Sequence, residues 1–457
     1  MEKDAALMEK IISFAKRKGF IYPGSEIYGG MAGMYDFGPY GVELLNNLKK
    51  EWWKEYVQRR DNYVGLDSAM FKDPRVWEAS GHTGGFSDPL SECRKCNTRI
   101  RVDKELGKIG VTADEKMSES DLNALFDEHK AKIKCPKCGA HDFTPVRAFN
   151  LLVKTNMGDF TGANEEPVYL PGEACQGIYL NFKNVVDTTR VKVPFGIVQI
   201  GKAFRNEISP RNFLFRTREL EQADTQFFVK PHENKEAYDR IKEERWAWYL
   251  KMGIREENLK WKQHENLVFY AKDAWDIEYN FPSYGFDELE GIHDRTDYDL
   301  TQHMKHSGTD LNYTDPFTGE KYIPWILETS VGLGRMFLAF ISDAYTEDEL
   351  NGEPRTVLKL SRELAPIKAA VFPLLKNKPE LVAKAREVFS LLKEEMMCEW
   401  DDNGNIGKRY RRQDEIGTPA CVTIDFETLE DNTVTVRDRD TGEQKRVAIA
   451  DLMAALK

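Results

Sequence analysis

The chain has 457 residues, with 65 Lys and Arg against 76 Asp and Glu, and a formal net charge of −11. Its apolar and charged fractions, 41% and 31%, exclude a fibrous or disordered protein, and the acidic balance excludes nucleic-acid binding over the whole surface. The length predicts two or three domains. No run of about 18 apolar residues occurs and the charged start does not resemble a signal peptide, so we expect no membrane span and a cytoplasmic location.

The first elements predicted are two helices separated by a Gly-rich loop. Apolar spacing predicts one helix over residues 1–20 and a second from Gly41 to Arg59. The second helix carries a wide apolar stripe with two adjacent tryptophans, Trp52 and Trp53, which fits burial either against a second subunit or in the chain's own core. The next stretch is predicted to be a strand or an extended segment that is broken at Pro74.

Two CxxC pairs mark an insertion that is predicted over residues 93–145. Cys93, Cys96, Cys135 and Cys138 supply four thiolates as two chelating pairs, which is the ligand set of a closed, structural Zn²⁺ site. Seven cysteines are too few for a disulfide scaffold in a chain of this size, and buried cysteines or a redox pair are the alternatives to zinc. Residues 118–132, SESDLNALFDEHKAK, predict one short capped helix.

Two further regions follow the insertion. Short apolar strands with long connections run from residue 146 to 350, and with residues 1–92 they predict one sheet-based domain of the α+β class. Residues 355–457 alternate strand, helix and strand and end in a hairpin around Asp440-Thr441-Gly442 and a last helix, which predicts a small α/β domain.

The segment FRNEISPR, residues 204–211, is the first candidate site. Arg205 and Glu207 are predicted to alternate on a strand and therefore to point to the same face, where a guanidinium and a carboxylate can meet one ligand. Three more arginines follow before the return strand, namely Arg211, Arg216 and Arg218. So many cations in one antiparallel pair indicate a bound anion such as a triphosphate.

A second candidate site is ETSVGLGR, from Glu328 to Arg335, where an apolar strand is predicted to pass through a Gly turn into an apolar helix. Arg335 then lies near the start of that helix, where anionic groups are favoured. Together with the Arg-rich strand pair, this segment predicts a nucleotide site.

These segments resemble the signature motifs of class II aminoacyl-tRNA synthetases. FRNEISPR with the strand RTRELEQAD is similar to the second motif, GLGR after a strand to the third, and the Pro74-bearing segment with its preceding helix to the first, which builds a dimer interface in that family. The stretches VWEASGH, GEACQGIYLNF and DELEGIHDRTDYDL narrow the resemblance to the homodimeric glycyl-tRNA synthetase family, over most of the chain.

The resemblance implies a fold, an activity and partners. It implies a class II antiparallel-sheet catalytic domain with a zinc-knuckle insertion and a C-terminal anticodon-binding domain. It also implies activation of glycine with ATP and Mg²⁺, transfer of glycine to the 3′ end of tRNA(Gly), and a homodimer. Glycine offers only an ammonium and a carboxylate for recognition, and larger amino acids are excluded by size, so no editing domain is expected.

The resemblance further implies roles for individual residues. Arg205 would hold the α-phosphate and the activated carboxylate, Glu207 would place ATP, and Arg335 would lie against the adenine or the γ-phosphate; these three form the implied catalytic set. The implied ATP site also contains Asn206, Phe215, Arg216, Leu220, Glu288, Leu289 and Gly332, with Glu288 a Mg²⁺ ligand. The implied glycine site contains Arg101, Glu173, Leu220, Gln222, Asp224, Glu328, Ser330 and Gly332.

The chain departs from the family pattern at three places. Leu220 stands where the family usually has a Phe that stacks under adenine, and Asp224 is shorter than the usual Glu. The family's EPS is ETS at residues 328–330, and its PETAQG is altered around Glu173. These differences predict weaker adenine stacking and a different local backbone near the two glutamates.

A basic run precedes the strand ACVTIDF in the C-terminal region. Lys408, Arg409, Arg411 and Arg412 flank Tyr410, a pattern that fits either an RNA contact or a solvated helix face. Two other functions stay open from the residues alone: a class II synthetase for serine, threonine or proline, and a catalytically inactive synthetase-like subunit that binds nucleic acid.

Overall fold

The structure is a computed structural model that describes residues 2–113, 117–158, 166–208, 210, 213–265, 267, 271–350 and 352–456. Residues up to 92 form α1 (Glu2–Arg17), β1 (Ile21–Pro23), β2 (Tyr35–Phe37), α2 (Pro39–Trp53), β3 (Tyr63–Gly65), α3 (Pro74–Ala79), α4 (His82–Gly85) and β4 (Ser87–Glu92). The insertion contains β5 (Arg99–Arg101), α5 (Val102–Lys108) and α6 (Glu119–His129).

The next part of the chain supplies most of the large sheet. Its elements are β6 (Arg147–Asn150), β7 (Lys154–Met157), β8 (Glu166–Tyr169), α7 (Gln176–Thr189), β9 (Phe195–Phe204), β10 (Glu219–Val229), α8 (Asn234–Met252), β11 (Leu259–Gln263), β12 (Asp273–Phe281), β13 (Gly285–Thr296), α9 (Tyr298–Ser307), β14 (Tyr313–Thr314), β15 (Lys321–Tyr322), β16 (Trp325–Gly332), α10 (Leu333–Ala344), β17 (Tyr345–Leu350) and β18 (Glu353–Leu358).

The C-terminal part is a separate sheet with helices. Its elements are β19 (Ala369–Pro373), α11 (Pro379–Lys393), β20 (Cys398–Trp400), α12 (Ile406–Ile416), β21 (Ala420–Ile424), α13 (Phe426–Asp431), β22 (Thr433–Asp438), β23 (Gln444–Ala448) and α14 (Leu452–Leu456). The sheet order is β20-β19-β21-β22-β23, and β19 is parallel to both of its neighbours. The predicted hairpin around Asp440-Thr441-Gly442 is the β22–β23 pair.

A seven-stranded sheet of order β11-β12-β13-β16-β10-β9-β3 forms the centre of the molecule, and only β3 and β9 pair in parallel. Side chains of each strand alternate between the two faces. On β10, Ala223 and Phe227 join the main core with α2, α8 and α10, whereas Asp224 and Gln226 point to the opposite face. That second face, which we call the catalytic face, is covered at one end by α7 and α9.

The tryptophan stripe of α2 packs in the chain's own core. Trp52 is fully buried among the residues of the main core, and Trp53 packs against it. Gly65 on β3 leaves room for this ring, since a Cβ there would come within 2.3 Å of Trp53 Cζ2. Of the two alternatives from the sequence, core packing therefore explains the stripe.

The extended stretch that includes β3 ends at Pro74, as the sequence predicts, but the residues that follow Pro74 form the helix α3 and not a second extended segment. Asp73 caps α3, because its carboxylate accepts a hydrogen bond of 2.9 Å from the backbone N–H of Arg75. Proline at the first helical position has no N–H to leave unpaired, which makes it favourable there.

The insertion has a small core of its own, to which β5, α5, α6 and residues near the four cysteines contribute. Ser118 caps α6, since its Oγ accepts from the N–H of Asp121 at 3.2 Å, so the short capped helix that the sequence predicts is present. Among the described helices, none is long and apolar enough to cross a membrane.

Candidate functional site

The segment FRNEISPR follows a strand and is not part of it. β9 ends at Phe204, and Arg205, Asn206 and Glu207 continue without the strand alternation that the sequence predicted. One more ladder contact remains, because the N–H of Arg205 donates to the carbonyl of Arg218 at 2.8 Å. The predicted alternation is therefore wrong, and Arg211 lies outside the described residues.

A cavity of about 580 Å³ opens where the β9–β10 pair meets the end of β16. The Gly-rich loop between β1 and β2 covers part of it through Met31 and Met34. The predicted site residues that line this cavity are Arg205, Glu207, Phe215, Arg216, Leu220, Gln222, Glu288, Ser330, Gly332 and Arg335. The structure thus brings together residues that are up to 130 positions apart in the sequence.

Arg335 is fixed at one wall of the cavity, in the first turn of α10. The strand β16 runs directly into this helix, so the predicted Gly turn between them is absent. Nε of Arg335 donates to the carbonyl of Phe215 at 3.1 Å, and the guanidinium lies 4.4 Å from the centre of that ring. Nη1 lies 2.9 Å from Oε2 of Glu288, and this positive charge lowers the pKa of Glu288 to about 2.

A β-bulge separates Glu288 from its neighbours on β13. The register changes from Glu290 opposite Ile277 to Glu288 opposite Glu278, with Leu289 as the extra residue. Glu290 therefore points to the core, where it binds Arg245, while Glu288 points to the catalytic face. The side chain of Leu289 is 1% exposed and lies in the core, so it does not line the cavity, and a place for Leu289 in the ATP site stays a prediction.

Both cationic and anionic side chains from the FRNEISPR segment and the residues after it line the cavity. Arg205 Nε donates to the carbonyl of Gly172 at 3.2 Å, and its guanidinium stands 5.3 Å from the Phe86 ring centre. Arg216 lies 3.7 Å from the buried carboxylate of Glu207. Such a guanidinium pair can hold a phosphate, since planar donors match phosphate oxygens.

A cluster of buried carboxylates lies deeper on the catalytic face, around one guanidinium. Arg295 donates to both oxygens of Glu328 at 3.1 and 3.0 Å and to both oxygens of Asp299 at 3.0 and 2.8 Å. Burial opposes ionisation of Glu328, but Arg295 and His293 outweigh it and lower its pKa to about 2. The sequence did not single out Arg295, although it lies in the quoted stretch DELEGIHDRTDYDL.

Glu173 belongs to the same cluster. Its Oε1 accepts from Gln176 at 2.7 Å, and its Oε2 lies 3.6 Å from Nε2 of His82. Burial works against its charge, but His82 and Arg295 hold the pKa of Glu173 well below its usual range. His82 is a second residue that the sequence did not single out.

Asp224 is the least satisfied carboxylate of the cluster. It is 1% exposed, and neither oxygen makes a hydrogen bond of normal length and angle with a described residue. Burial and the charges of Glu328 and Glu173 raise its pKa well above the usual value, although Ser330, opposite it in the ladder, lowers it. A buried carboxylate without a partner is costly unless a ligand supplies one.

Of the remaining predicted residues, Gln222 and Asn206 hydrogen-bond to neighbouring backbone, and Arg101 lies apart from the carboxylate cluster. Oε1 of Gln222 accepts from the N–H of Ala174 at 3.1 Å, which ties β10 to the loop of Glu173. Asn206 donates its N–H to the carbonyl of Leu151. Arg101 pairs with Asp88 at 2.9 Å and with Asp103 at 2.6 Å; burial works against its charge, but these two carboxylates and Glu207 raise its pKa. The structure does not bring Arg101 to the cluster of Glu173 and Glu328.

The four cysteines of the insertion converge on one point. Sγ of Cys93 lies 3.6 Å from that of Cys138, and Sγ of Cys96 lies 3.5 Å from that of Cys135. Tetrahedral zinc with bonds of 2.3 Å separates its sulfur ligands by roughly 3.8 Å. The donor set and its spacing therefore fit a zinc ion.

The basic run of the C-terminal region is mostly engaged within the chain. Arg409 is 2% exposed and donates to the carbonyls of Pro373, Asp402 and Gly404. Arg412 pairs with Asp401. Tyr410 packs on Phe372 and hydrogen-bonds Thr423, and Arg411 pairs with Glu353. The hypothesis that all the cations of this run contact RNA is wrong for Arg409, whose buried side chain binds backbone carbonyls of the chain itself.

Comparisons with known proteins agree with this architecture. The family model "tRNA synthetase class II core domain (G, H, P, S and T)" matches residues 159–345, and the model "Anticodon binding domain" matches residues 368–457. With the antiparallel sheet and the Arg- and Glu-lined cavity, these matches define a class II aminoacyl-tRNA synthetase.

Full-length relatives narrow the class further. The chain is 53% identical to glycine–tRNA ligase of Clostridium acetobutylicum over 460 residues, which cover 98% of each chain. It is 51% identical to that of Clostridium tetani, over 98% of this chain and 97% of the relative, and 50% identical to that of Geobacillus thermodenitrificans, over 100% and 99%. The chain belongs to the glycine–tRNA ligase family.

Proposed function

We propose that this chain activates glycine with ATP and transfers the glycyl group to the 3′ end of tRNA(Gly). The observation that carries the proposal is the separation of charge in the site. A buried cluster with the ionised carboxylates of Glu173 and Glu328 lies beside a cavity that is lined by Arg205, Arg216 and Arg335. An amino acid with its ammonium in the cluster directs its carboxylate toward the phosphates in the cavity.

The carboxylate cluster favours a small amino acid. Glu173, Asp224 and Glu328 would bind the ammonium, and Ser330 would hold it next to Asp224. Asp224 and Glu328 are 1% and 4% exposed, so little space remains for a side chain on the substrate. Glycine fits such a pocket, and larger amino acids are rejected by overlap, which is the easier direction of discrimination.

The cavity supports the activation step through its guanidinium groups. The glycine carboxylate attacks the α-phosphorus of ATP, and pyrophosphate leaves. Arg205 would stabilise the negative charge that develops at that phosphate, and Arg216 and Arg335 would hold the remaining phosphates. Glu288 faces the cavity and would be a ligand of Mg²⁺, which supplies further charge neutralisation when bound.

The remaining assignments are proposals on the same basis. Residues 1–92 with 146–350 would form the catalytic domain, residues 93–145 a zinc-bearing insertion, and residues 355–457 the module that binds the anticodon. The free thiols of the four converging cysteines suit a reducing compartment such as the cytoplasm. A homodimer and a cytoplasmic location are part of the proposal.

Glycine-dependent exchange of pyrophosphate into ATP tests the proposal. We expect exchange with glycine, and at least about 100-fold less with alanine, serine, threonine or proline. Arg205→Ala serves as the matched inactive control. Exchange with serine, threonine or proline in place of glycine would reassign the substrate, and no exchange with any amino acid would favour the inactive, nucleic-acid-binding subunit.

A further inference from the structure

Three side chains with metal-binding atoms meet on the catalytic face, beside the site described above. They are His264, which follows β11, Asp276 on β12 and His293 on β13. Their ligand atoms all lie within 4.8 Å of one another, and Nε2 of His264 is 2.8 Å from Oδ2 of Asp276. We infer that these three residues bind a divalent first-row transition-metal ion, with zinc the best fit. The inference concerns metal binding and does not depend on glycine being the substrate.

The register of the sheet explains why the three side chains converge. Asp276 on β12 lies opposite Gly291 on β13, and His293 lies two residues beyond Gly291, so Asp276 and His293 share the catalytic face. His264 continues the β11–β12 pairing, because its N–H donates to the carbonyl of Ala274 at 3.0 Å. Gly291 has no side chain to occupy the space between them. A Cβ at that position would come within 3.0 Å of Nε2 of His293 and 3.6 Å of Oδ1 of Asp276. The ring of His293 therefore places Nε2 over the glycine, next to the carboxylate.

A second carboxylate orients the ring of His293 from behind. Nδ1 of His293 lies 3.0 Å from Oε2 of Glu328. Arg295 also binds this glutamate, so the carboxylate is held where Nδ1 can donate to it, and Nε2 is the ring nitrogen that faces Asp276. A histidine whose second nitrogen donates to a carboxylate is the usual arrangement around bound metals, because the outer carboxylate fixes the ring and makes it a better ligand.

The ligand types determine which metal suits the site. Two imidazole nitrogens and one carboxylate favour zinc or a neighbouring transition metal, whereas Mg²⁺ prefers oxygen ligands only. A tetrahedral ion with bonds of 2.0–2.2 Å separates its ligand atoms by roughly 3.4 Å. The ligand atoms here are 2.8 Å apart for His264 and Asp276, and at most 4.8 Å apart within the group. Small rotations of the side chains therefore bring them to the tetrahedral spacing. Three protein ligands leave one coordination position for water.

Access and rigidity also suit a metal site. The side chain of His264 is 36% exposed, which gives the ion a path from solvent, and that of Asp276 is 10% exposed. The rings of His264 and His293 stand edge to face with centres 6.0 Å apart. Because the ligands lie on or next to adjacent strands of one sheet, their backbone is already in place and only the side chains must be ordered when the ion binds.

Metal stoichiometry of the full-length chain tests the inference. The protein is stripped with a chelator, loaded with Co²⁺ or Zn²⁺ and passed through a gel-filtration column before metal analysis. We expect one equivalent of Co²⁺ with the charge-transfer absorption of thiolate ligands, from the four cysteines, and a second equivalent without it. His264→Ala should lose the second equivalent and keep the first.

Two further variants make the result decisive. His306→Ala, which removes an exposed histidine on α9, should keep both equivalents. Asp276→Asn, which keeps the shape of the ligand but removes its charge, should weaken the second equivalent by at least the about 10- to 100-fold that is typical of outer-shell changes. Two results would overturn the inference. In the first, the unsubstituted chain retains no second metal ion, that is, none without thiolate absorption. In the second, His264→Ala retains as much of the second metal ion as His306→Ala does.

Discussion

The substitution Asp224→Asn tests the carboxylate cluster through the stability of the unliganded protein. Burial raises the pKa of Asp224 above its usual 3.8. At a pH between 3.8 and this raised pKa, the folded chain binds a proton at Asp224 that the unfolded chain has released. Stability therefore falls as pH rises through this window. Each pH unit within it costs about 1.4 kcal/mol, and an asparagine at this position removes that cost.

The magnitude can be measured by urea unfolding at two pH values. With both pH values above 3.8, the stability of Asp224→Asn relative to the unsubstituted protein should be greater at the higher pH, by about 1.4 kcal/mol for each pH unit that lies below the raised pKa of Asp224. Tryptophan fluorescence reports the transition, since Trp52 and Trp77 are fully buried in the folded chain and become exposed on unfolding. Asp61→Asn, in an exposed turn, is the control and should show no such increase. Equal pH dependence of Asp224→Asn and the unsubstituted protein would refute the reasoning.

The same substitution should weaken glycine binding while it stabilises the empty protein. Loss of one partner of a buried charge pair costs about 2 kcal/mol or more, so the KM for glycine should rise at least about 30-fold. The KM for ATP should stay within about twofold, because Asp224 is not among the residues that line the cavity. Asp224→Glu keeps the charge and should retain most of the affinity. An unchanged KM for glycine in Asp224→Asn would exclude Asp224 as a ligand of the ammonium.

Other predictions concern the cavity and the insertion. Arg335→Lys cannot contact the Phe215 carbonyl and Glu288 together, so the KM for ATP in pyrophosphate exchange should rise about 10- to 100-fold. Leu220→Phe adds a ring at the cavity wall and should tighten ATP about 2- to 10-fold in equilibrium binding; no gain would contradict stacking at this position. Cys135→Ser should lose one zinc per chain by metal analysis and lower the melting temperature of the insertion, whereas Cys398→Ser, in another core, should keep the metal.

Elements with strong local signals were predicted well from the sequence. The helix α6 has its capping serine, Ser118, directly before an apolar periodic stretch, and the β22–β23 hairpin has its turn residues at the tip. The run of apolar residues after Gly332 gives α10, which is buried almost all round. In each case the information lies within a few residues, so neighbouring elements do not change the outcome.

The site depends on register, which a single sequence does not reveal. Leu289 was expected at the ATP site from the family resemblance, and the bulge at this residue turns its side chain into the core. Arg295 was missed because its importance comes from its contact with Glu328, which is 33 residues away, and because it lies at a register shift of β13. Gly291 carries no chemistry of its own, yet it lets His293 approach Asp276. Such residues become visible only when three strands are aligned.

The basic run of α12 shows why a count of cations is a poor measure of an RNA-binding surface. Acidic residues and carbonyls from other elements reach these side chains, as Asp401 does for Arg412 and Glu353 for Arg411. A guanidinium that already has such partners must lose them before it can bind a phosphate, so its net contribution to RNA affinity is small. Lys408 remains exposed. We therefore expect any tRNA contact of this run to involve exposed cations such as Lys408, because the buried Arg409 is bonded to the carbonyls of Pro373 and Gly404.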